Sequence, residues 1–231
     1  MNYNAWYDAY DYIFPLKAET LAFLTRIFQK GWICDLGCGS GSYAIALAEK
    51  GFKVDAFDLS ENLIRLGSKK AKTGLPLRFK TMDMRDFSAV DKYDGLYVIG
   101  NTLVHLSQPD VKSVIEKIGK ALEKGGHGVI QIVNYDRVIR KNITELPKIE
   151  NPPYSMERHY EIKPKAVAFT TILRYKENIQ KNTIDLYPLK YKDLLSFLKA
   201  TGFTDIKSYG GFDFTPFDID NSQSLIVTFK R

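Results

Sequence analysis

The sequence predicts an α/β protein with a doubly wound, mostly parallel sheet. Two observations carry this. From residue 31 to about 133, short apolar runs alternate with longer helical patterns, the arrangement that gives a parallel sheet covered by helices. The first of those runs also opens directly into a glycine-rich turn before a helix. At 231 residues the chain is long enough for one full domain carrying an insert. Its 45% apolar and 26% charged residues exclude a disordered or fibrous chain.

Trp32-Ile33-Cys34-Asp35-Leu36 reads as the first strand. Ser42 to Lys50 is a helix that offers Ile45, Leu47 and Ala48 for burial, with Gly51 where a left-handed C-cap falls. Phe52 to Phe57 is the second strand, Ser60 caps a helix running to about Lys72, and Leu77 to Met82 is the third strand. Tyr93 to Ile99 makes a fourth. Val111, Val114, Ile115, Ile118 and Leu122 follow the i, i+3, i+4, i+7 rule on a helix that Pro109-Asp110 starts and Gly125-Gly126 ends, before a fifth strand at Val129 to Val133.

After Asn134 the periodicity becomes two. Val167, Phe169, Thr171, Leu173 and Tyr175 alternate with other residues, as do Ile179 and then Ile184 with Leu186, and Lys176-Glu177-Asn178 can turn a hairpin between them. Residues 137–188 are therefore expected to form a small antiparallel β insert. Leu194, Leu195 and Leu198 restore a helix, and Asp205 to Tyr209 and Ser224 to Phe229 supply two more strands, making seven in the main sheet.

Charge and cysteine content narrow the function classes. The 33 Lys and Arg against 27 Asp and Glu give +6, too small and scattered an excess for nucleic acid. Two cysteines four residues apart build neither a disulfide framework nor a four-ligand zinc site, which fits a reducing, cytoplasmic setting. The start lacks the basic and apolar regions of a signal peptide, and nowhere do about 18 apolar residues run together. The expected partner is a small-molecule substrate, with neither nucleic acid nor membrane and no metal; the oligomeric state is left open.

The chemistry concentrates at three strand ends. Asp35-Leu36-Gly37-Cys38-Gly39-Ser40-Gly41 stands between a strand and a helix, where glycines admit a ligand to the backbone and the helix offers unpaired amides. The spacing is G-x-G-x-G, whereas the dinucleotide fingerprint is G-x-G-x-x-G. Asp35 repels a pyrophosphate but can organise the turn and attract a cationic group. Asp58 ends the second strand, where a carboxylate can accept from both ribose hydroxyls. Asp83 ends the third.

This constellation resembles the first motifs of class I S-adenosylmethionine-dependent methyltransferases over about residues 31–133. The resemblance implies a Rossmann-like sheet with one antiparallel strand and S-adenosyl-L-methionine as cofactor, bound by Asp35, Gly37, Cys38, Gly39, Gly41 and Asp58. It also implies that Asp83 accepts from the adenine amino group while Leu59 and Met84 sandwich the ring. Cys38 is otherwise a small buried residue within the turn. Ile99-Gly100-Asn101-Thr102-Leu103-Val104-His105-Leu106 and Asn134-Tyr135-Asp136 are similar to stretches of glycine and sarcosine N-methyltransferases. That narrower likeness adds Gly100 and Asn101 to the cofactor site and suggests transfer to a small-molecule amine. It also implies that the N-terminal Trp6, Tyr7, Tyr10 and Tyr12, beside Asp8 and Asp11, fold over the donor; aromatic packing of a chain end competes with that reading, and Tyr10 is taken as a donor contact.

His105 has the pKa range of a base and follows the strand end nearest the methyl group; a buried structural histidine is the competing role. Tyr135, Tyr154 and Tyr160 could contact an amine or fill the core. Asn151-Pro152-Pro153-Tyr154 matches the tetrapeptide of DNA, RNA and glutamine amide methyltransferases, but it follows the fifth strand instead of the fourth and is read as a loop. The division expected is a helical cap at 1–30, a donor-binding domain at 31–136 and 189–231, and a substrate lid at 137–188. An NAD-dependent dehydrogenase and a non-catalytic nucleoside-binding module are the alternatives.

Overall fold

The computed structural model describes residues 7–29 and 31–231; Trp6 lies outside them. Seven strands form the main sheet: β1 (Trp32–Leu36), β2 (Lys53–Asp58), β3 (Leu77–Thr81), β4 (Tyr93–Val98), β5 (Leu122–Val133), β10 (Thr204–Tyr209) and β11 (Ser224–Lys230). Their order is β10-β11-β5-β4-β1-β2-β3. All pairs from β5 to β3 are parallel, and β11 runs antiparallel to both its neighbours. The chain passes from β1 to β2 on one side and returns to β4 on the other. Loops leaving the carboxyl ends of β1 and β4 therefore diverge, and a crevice opens between them.

Helices cover both faces. On one, α2 (Ala18–Phe28) and α3 (Ser42–Glu49) bury Phe23, Leu24 and Leu47 against Ile33, Tyr97 and Ile226. On the other, α5 (Gln108–Ala121) presents Val111, Val114, Ile115 and Ile118, the stripe predicted from their spacing, beside Leu194 and Leu198 of α7 (Tyr191–Ala200). Helix α4 (Glu61–Lys70) begins at Ser60, whose hydroxyl accepts from the Leu63 amide at 3.3 Å.

One boundary differs from the expectation. Gly125-Gly126 does not end α5, which stops at Ala121 and passes directly into β5. The register jumps from Tyr93 opposite Leu122 to Gly95 opposite His127, so the glycines belong to a bulge. A Cβ on Gly126 would stand 2.9–3.2 Å from the carbonyl oxygens of Glu123, Tyr93 and Asp94. The pair answers to close backbone approach.

The insert is a second, four-stranded antiparallel sheet of β6 (Glu145–Asn151), β7 (Tyr154–Ile162), β8 (Val167–Tyr175) and β9 (Asn178–Leu186), preceded by a short helix, α6 (Tyr135–Arg140). Lys176-Glu177 makes the expected hairpin. Pro152-Pro153 forms the β6–β7 turn, and the Asn151 amide donates to the Tyr12 carbonyl at 2.9 Å, so that tetrapeptide ties the insert to α1 (Tyr10–Ile13). Ala9 and Ile13 pack on Met156 and Leu173 of the insert.

Candidate active site

The glycine turn is held from behind. The Gly37 and Cys38 amides both donate to the Phe57 carbonyl, at 2.7 and 2.8 Å, stapling the end of β1 to the end of β2. Gly39 has φ +58°, and a Cβ there would stand 2.2 Å from the Tyr10 hydroxyl. Only glycine lets α1 lie this close across the turn. Helix α1 is fixed there by a compact polar knot. Lys70 Nζ donates to Asp11 Oδ2 at 2.6 Å, to Ser40 Oγ at 2.9 Å and to Ser42 Oγ at 3.2 Å, while Ser40 Oγ donates to Asp11 Oδ1.

The strand-end acids occupy distinct environments. Asp35 is 3% exposed and accepts the Tyr97 hydroxyl at 2.7 Å. Burial pushes its pKa up to about 8, against the opposing hydrogen bond. Asp58 accepts from the Gly39 amide at 2.8 Å and the Ser60 amide at 2.9 Å; burial raises its pKa, and these backbone donors limit the rise. Asp83 is held by Arg85, whose Nη2 reaches Oδ2 at 2.6 Å and whose Nε reaches Oδ1 at 3.1 Å. That guanidinium keeps the carboxyl below the usual range.

A cleft of about 550 Å³ opens where β1 and β4 diverge. Tyr10, Gly37, Asp58, Leu59, Asp83, Met84, Gly100 and His105, eight of the candidate residues, line it. Leu59, at 69% exposed, offers an apolar surface that none of the described residues covers. Asp35, Cys38 and Asn101 are placed differently. Asp35 faces Tyr97, and burial drives the Cys38 thiol upward. Asn101, at φ +62°, accepts the Val133 amide at 2.9 Å and donates to the Tyr135 hydroxyl at 3.0 Å. It is a strap between the ends of β4 and β5. Gly39 and Gly41 shape the turn without lining the cleft.

Sequence reasoning missed Arg85, Thr102 and the insert's Ile184 and Asp185, all of which line the cleft. For Arg85 a signal existed, since Asp83-Met84-Arg85 sets opposite charges two apart at a strand end. The two readings of the N-terminal aromatics divide by residue: Tyr10 meets the glycine turn, whereas Tyr12 packs on Tyr154 with centroids 5.1 Å apart. His105 sits in a 3-10 turn, Leu103–His105, and burial lowers its pKa to about 4, so it is neutral at pH 7. A second depression of about 400 Å³ lies at the amino ends of the strands and holds none of the three strand-end acids. Among the described residues no cluster of His, Cys, Asp and Glu could hold a metal ion, and no helix is long and apolar enough to cross a membrane.

Residues 33–126 match the methyltransferase domain family. Carboxy-S-adenosyl-L-methionine synthase of Campylobacter jejuni (strain 81116) is 31% identical over 183 residues, covering 76% of this chain and 70% of that one. This chain belongs to the class I S-adenosylmethionine-dependent methyltransferase family. The glycine/sarcosine N-methyltransferase of Halorhodospira halochloris is 25% identical over 99% of this chain and 87% of its own. The Bacillus subtilis protein YqeM is 30% identical over 54% of this chain, which spans about half, 53%, of that relative's length. A solved S-adenosylmethionine-dependent methyltransferase from Clostridium acetobutylicum superposes with a TM-score of 0.79 at 16% identity, covering 99% and 98% of the two chains. The methyltransferase cofactor fits the residues present: a carboxylate acceptor on the cleft wall at Asp58, an uncovered apolar side chain at Leu59, and glycine backbone at Gly37 where a Cβ would stand 2.5 Å from Thr102.

Proposed function

We propose that the protein transfers a methyl group to the amine nitrogen of a small molecule. The observation that carries this reading is a neutral His105 lining the cleft beside Gly100 at the end of β4; the likeness to a glycine/sarcosine N-methyltransferase points the same way. S-adenosylmethionine supplies an electrophilic methyl on a sulfonium. Asp58 would accept from the ribose hydroxyls, Leu59 and Met84 would flank the adenine, and the glycine turn under Tyr10 would hold the amino acid end. The β6–β9 sheet is the acceptor lid and the N-terminal helices are the cap, so the donor is anchored from the main sheet and the acceptor from above. His105, uncharged, accepts a hydrogen bond from the acceptor's N–H and turns its lone pair toward the donor. Holding two reactants in line supplies much of the acceleration in such a displacement.

A screen of small amines, acids and alcohols for S-adenosylhomocysteine release, with the methylated atom located by NMR, tests this reading; methylation of oxygen or carbon alone would overturn it. Asp58→Ala should weaken S-adenosylhomocysteine binding roughly ten- to a hundred-fold, the effect of losing a charged hydrogen-bond acceptor at about 1.5–3 kcal/mol. An unchanged dissociation constant by calorimetry would show that the ribose binds elsewhere.

A further inference from the structure

The lid carries polar side chains for which the reading above has no use. Side chains alternate across a strand, and on β7 the residues turned toward the body are Met156, Arg158 and Tyr160. Met156 packs with Ala9 and Ile13 of α1, and Tyr160 packs with the main core. Register places Thr171 of β8 opposite Arg158, and Asn182 of β9 opposite Thr171. The three form one row across the inner face, between the row seated on α1 and the row seated on the core. Ile184, two residues beyond Asn182 on the same face, lines the cleft, as does Tyr10 from α1. Where β9 ends, the Tyr187 amide donates to the Val104 carbonyl at 2.9 Å, next to His105. The row is therefore the next one along the inner face from Ile184, the residue of that face that lines the cleft.

Its hydrogen bonding is incomplete. Four buried side-chain nitrogens or oxygens lack a partner among the described residues, and two of them, Arg158 Nε and Asn182 Nδ2, stand on this row. Among the described residues the guanidinium makes one hydrogen bond, from Nη2 to the Pro147 carbonyl at 2.7 Å. Among the described residues no carboxylate pairs with it, and Glu157 lies on the opposite face, paired with Arg174. Burial lowers the Arg158 pKa, the mark of a positive charge lacking a counter-charge. Buried donors without partners are penalised, so each asks for an acceptor. A neutral hydroxyl would satisfy the donors yet leave the charge uncompensated; an anion answers both needs.

We propose that the Arg158–Thr171–Asn182 row is a subsite for an oxyanion, carboxylate or phosphate, carried by the methyl acceptor at the end remote from the reacting atom. This rests on the methyl-transfer reading above and adds the acceptor's charge to it. The fully buried Thr171 hydroxyl, which donates to the Asn182 backbone carbonyl at 3.5 Å, stands on the row between the two orphaned donors.

The test compares kcat/KM within matched acceptor pairs: ethanolamine with O-phosphoethanolamine, propylamine with β-alanine, and propanol with 3-hydroxypropionate. The oxyanion member should be preferred at least tenfold, and the phosphate and carboxylate arms say which anion fits. Arg158→Met should bring that ratio to about one, and Asn182→Ala should lower it at least threefold, with calorimetric S-adenosylhomocysteine binding confirming that each variant is folded. A ratio near one in the natural chain, or a ratio that survives both substitutions, overturns the subsite. Turnover of the alcohols alone, with the oxyanion preference intact, overturns the amine reading and leaves the subsite standing. No turnover in any pair overturns both.

Discussion

Replacing His105 with leucine is expected to lower turnover about a hundredfold while S-adenosylhomocysteine affinity stays within threefold. The imidazole lines the cleft, and its burial sets the pKa at about 4. An alkyl ammonium has a pKa near 10. Proton transfer from it to such a histidine would be uphill by roughly six units, about 8 kcal/mol, so the acceptor's first proton leaves to water and the amine arrives neutral. The role proposed for His105 is aim, and a misplacement of about 1 Å can cost on the order of a hundredfold. His105→Gln, which keeps an acceptor atom, should recover part of the loss. The sign of the shift fixes the pH profile. A histidine of depressed pKa is protonated only below about 4, so turnover should rise with pH along the acceptor's own ammonium pKa and show no break near 6.5. A break at 6.5 that disappears in His105→Leu would show that the side chain is charged at neutral pH and acts as a true base.

Asp35→Asn is expected to stabilise the protein at pH 8.5 by on the order of 5–6 kcal/mol and to change nothing near pH 4. The native carboxyl is buried and its pKa stands at about 8, against 3.8 in the unfolded chain. Between those values the folded state keeps a proton that the unfolded state has released, so stability falls as pH rises through this window, at about 1.36 kcal/mol per unit. An amide carries no charge at any of these pH values and can still accept the Tyr97 hydroxyl, which reaches Asp35 at 2.7 Å. Urea unfolding of both proteins at pH 4.5, 6.5 and 8.5 reads the effect directly. Parallel stability curves would mean that Asp35 is ionised in the native state.

The strand-end acids and the glycine turn were legible because their chemistry is local. Each lies within a few residues of a strand whose apolar run is unambiguous, and the α5 stripe declares itself by spacing alone. What stayed hidden depends on distance or register. Asp35 and Tyr97 are 62 residues apart, and no pattern announces that one answers the other. Strands β6 and β7 escape because one face of their sheet is solvated: Lys148, Glu150 and Glu161 are exposed, which breaks the apolar alternation. The β5 bulge reverses the usual meaning of a Gly-Gly pair after a helix. Arg158, Thr171 and Asn182 become one row only when three strands are aligned, and nothing in their separate neighbourhoods relates them.

Helix α1 is one turn long yet has two seats, with Asp11 knotted to Lys70, Ser40 and Ser42 on the glycine turn and Ala9 and Ile13 bedded on the insert. A molecule sliding under Tyr10 must arrive before those seats are filled, and whatever lies under Tyr10 departs only after they empty. With the donor under Tyr10, as proposed, the expected kinetic signature is a compulsory order, with the sulfonium compound first on and its thioether product last off. S-adenosylhomocysteine should then inhibit competitively against S-adenosylmethionine and noncompetitively against the acceptor, while an unreactive acceptor analogue should inhibit uncompetitively against S-adenosylmethionine. Catalytic throughput would then be set by how often a four-residue helix lifts, and Lys70→Ala should shorten the residence time of the bound product.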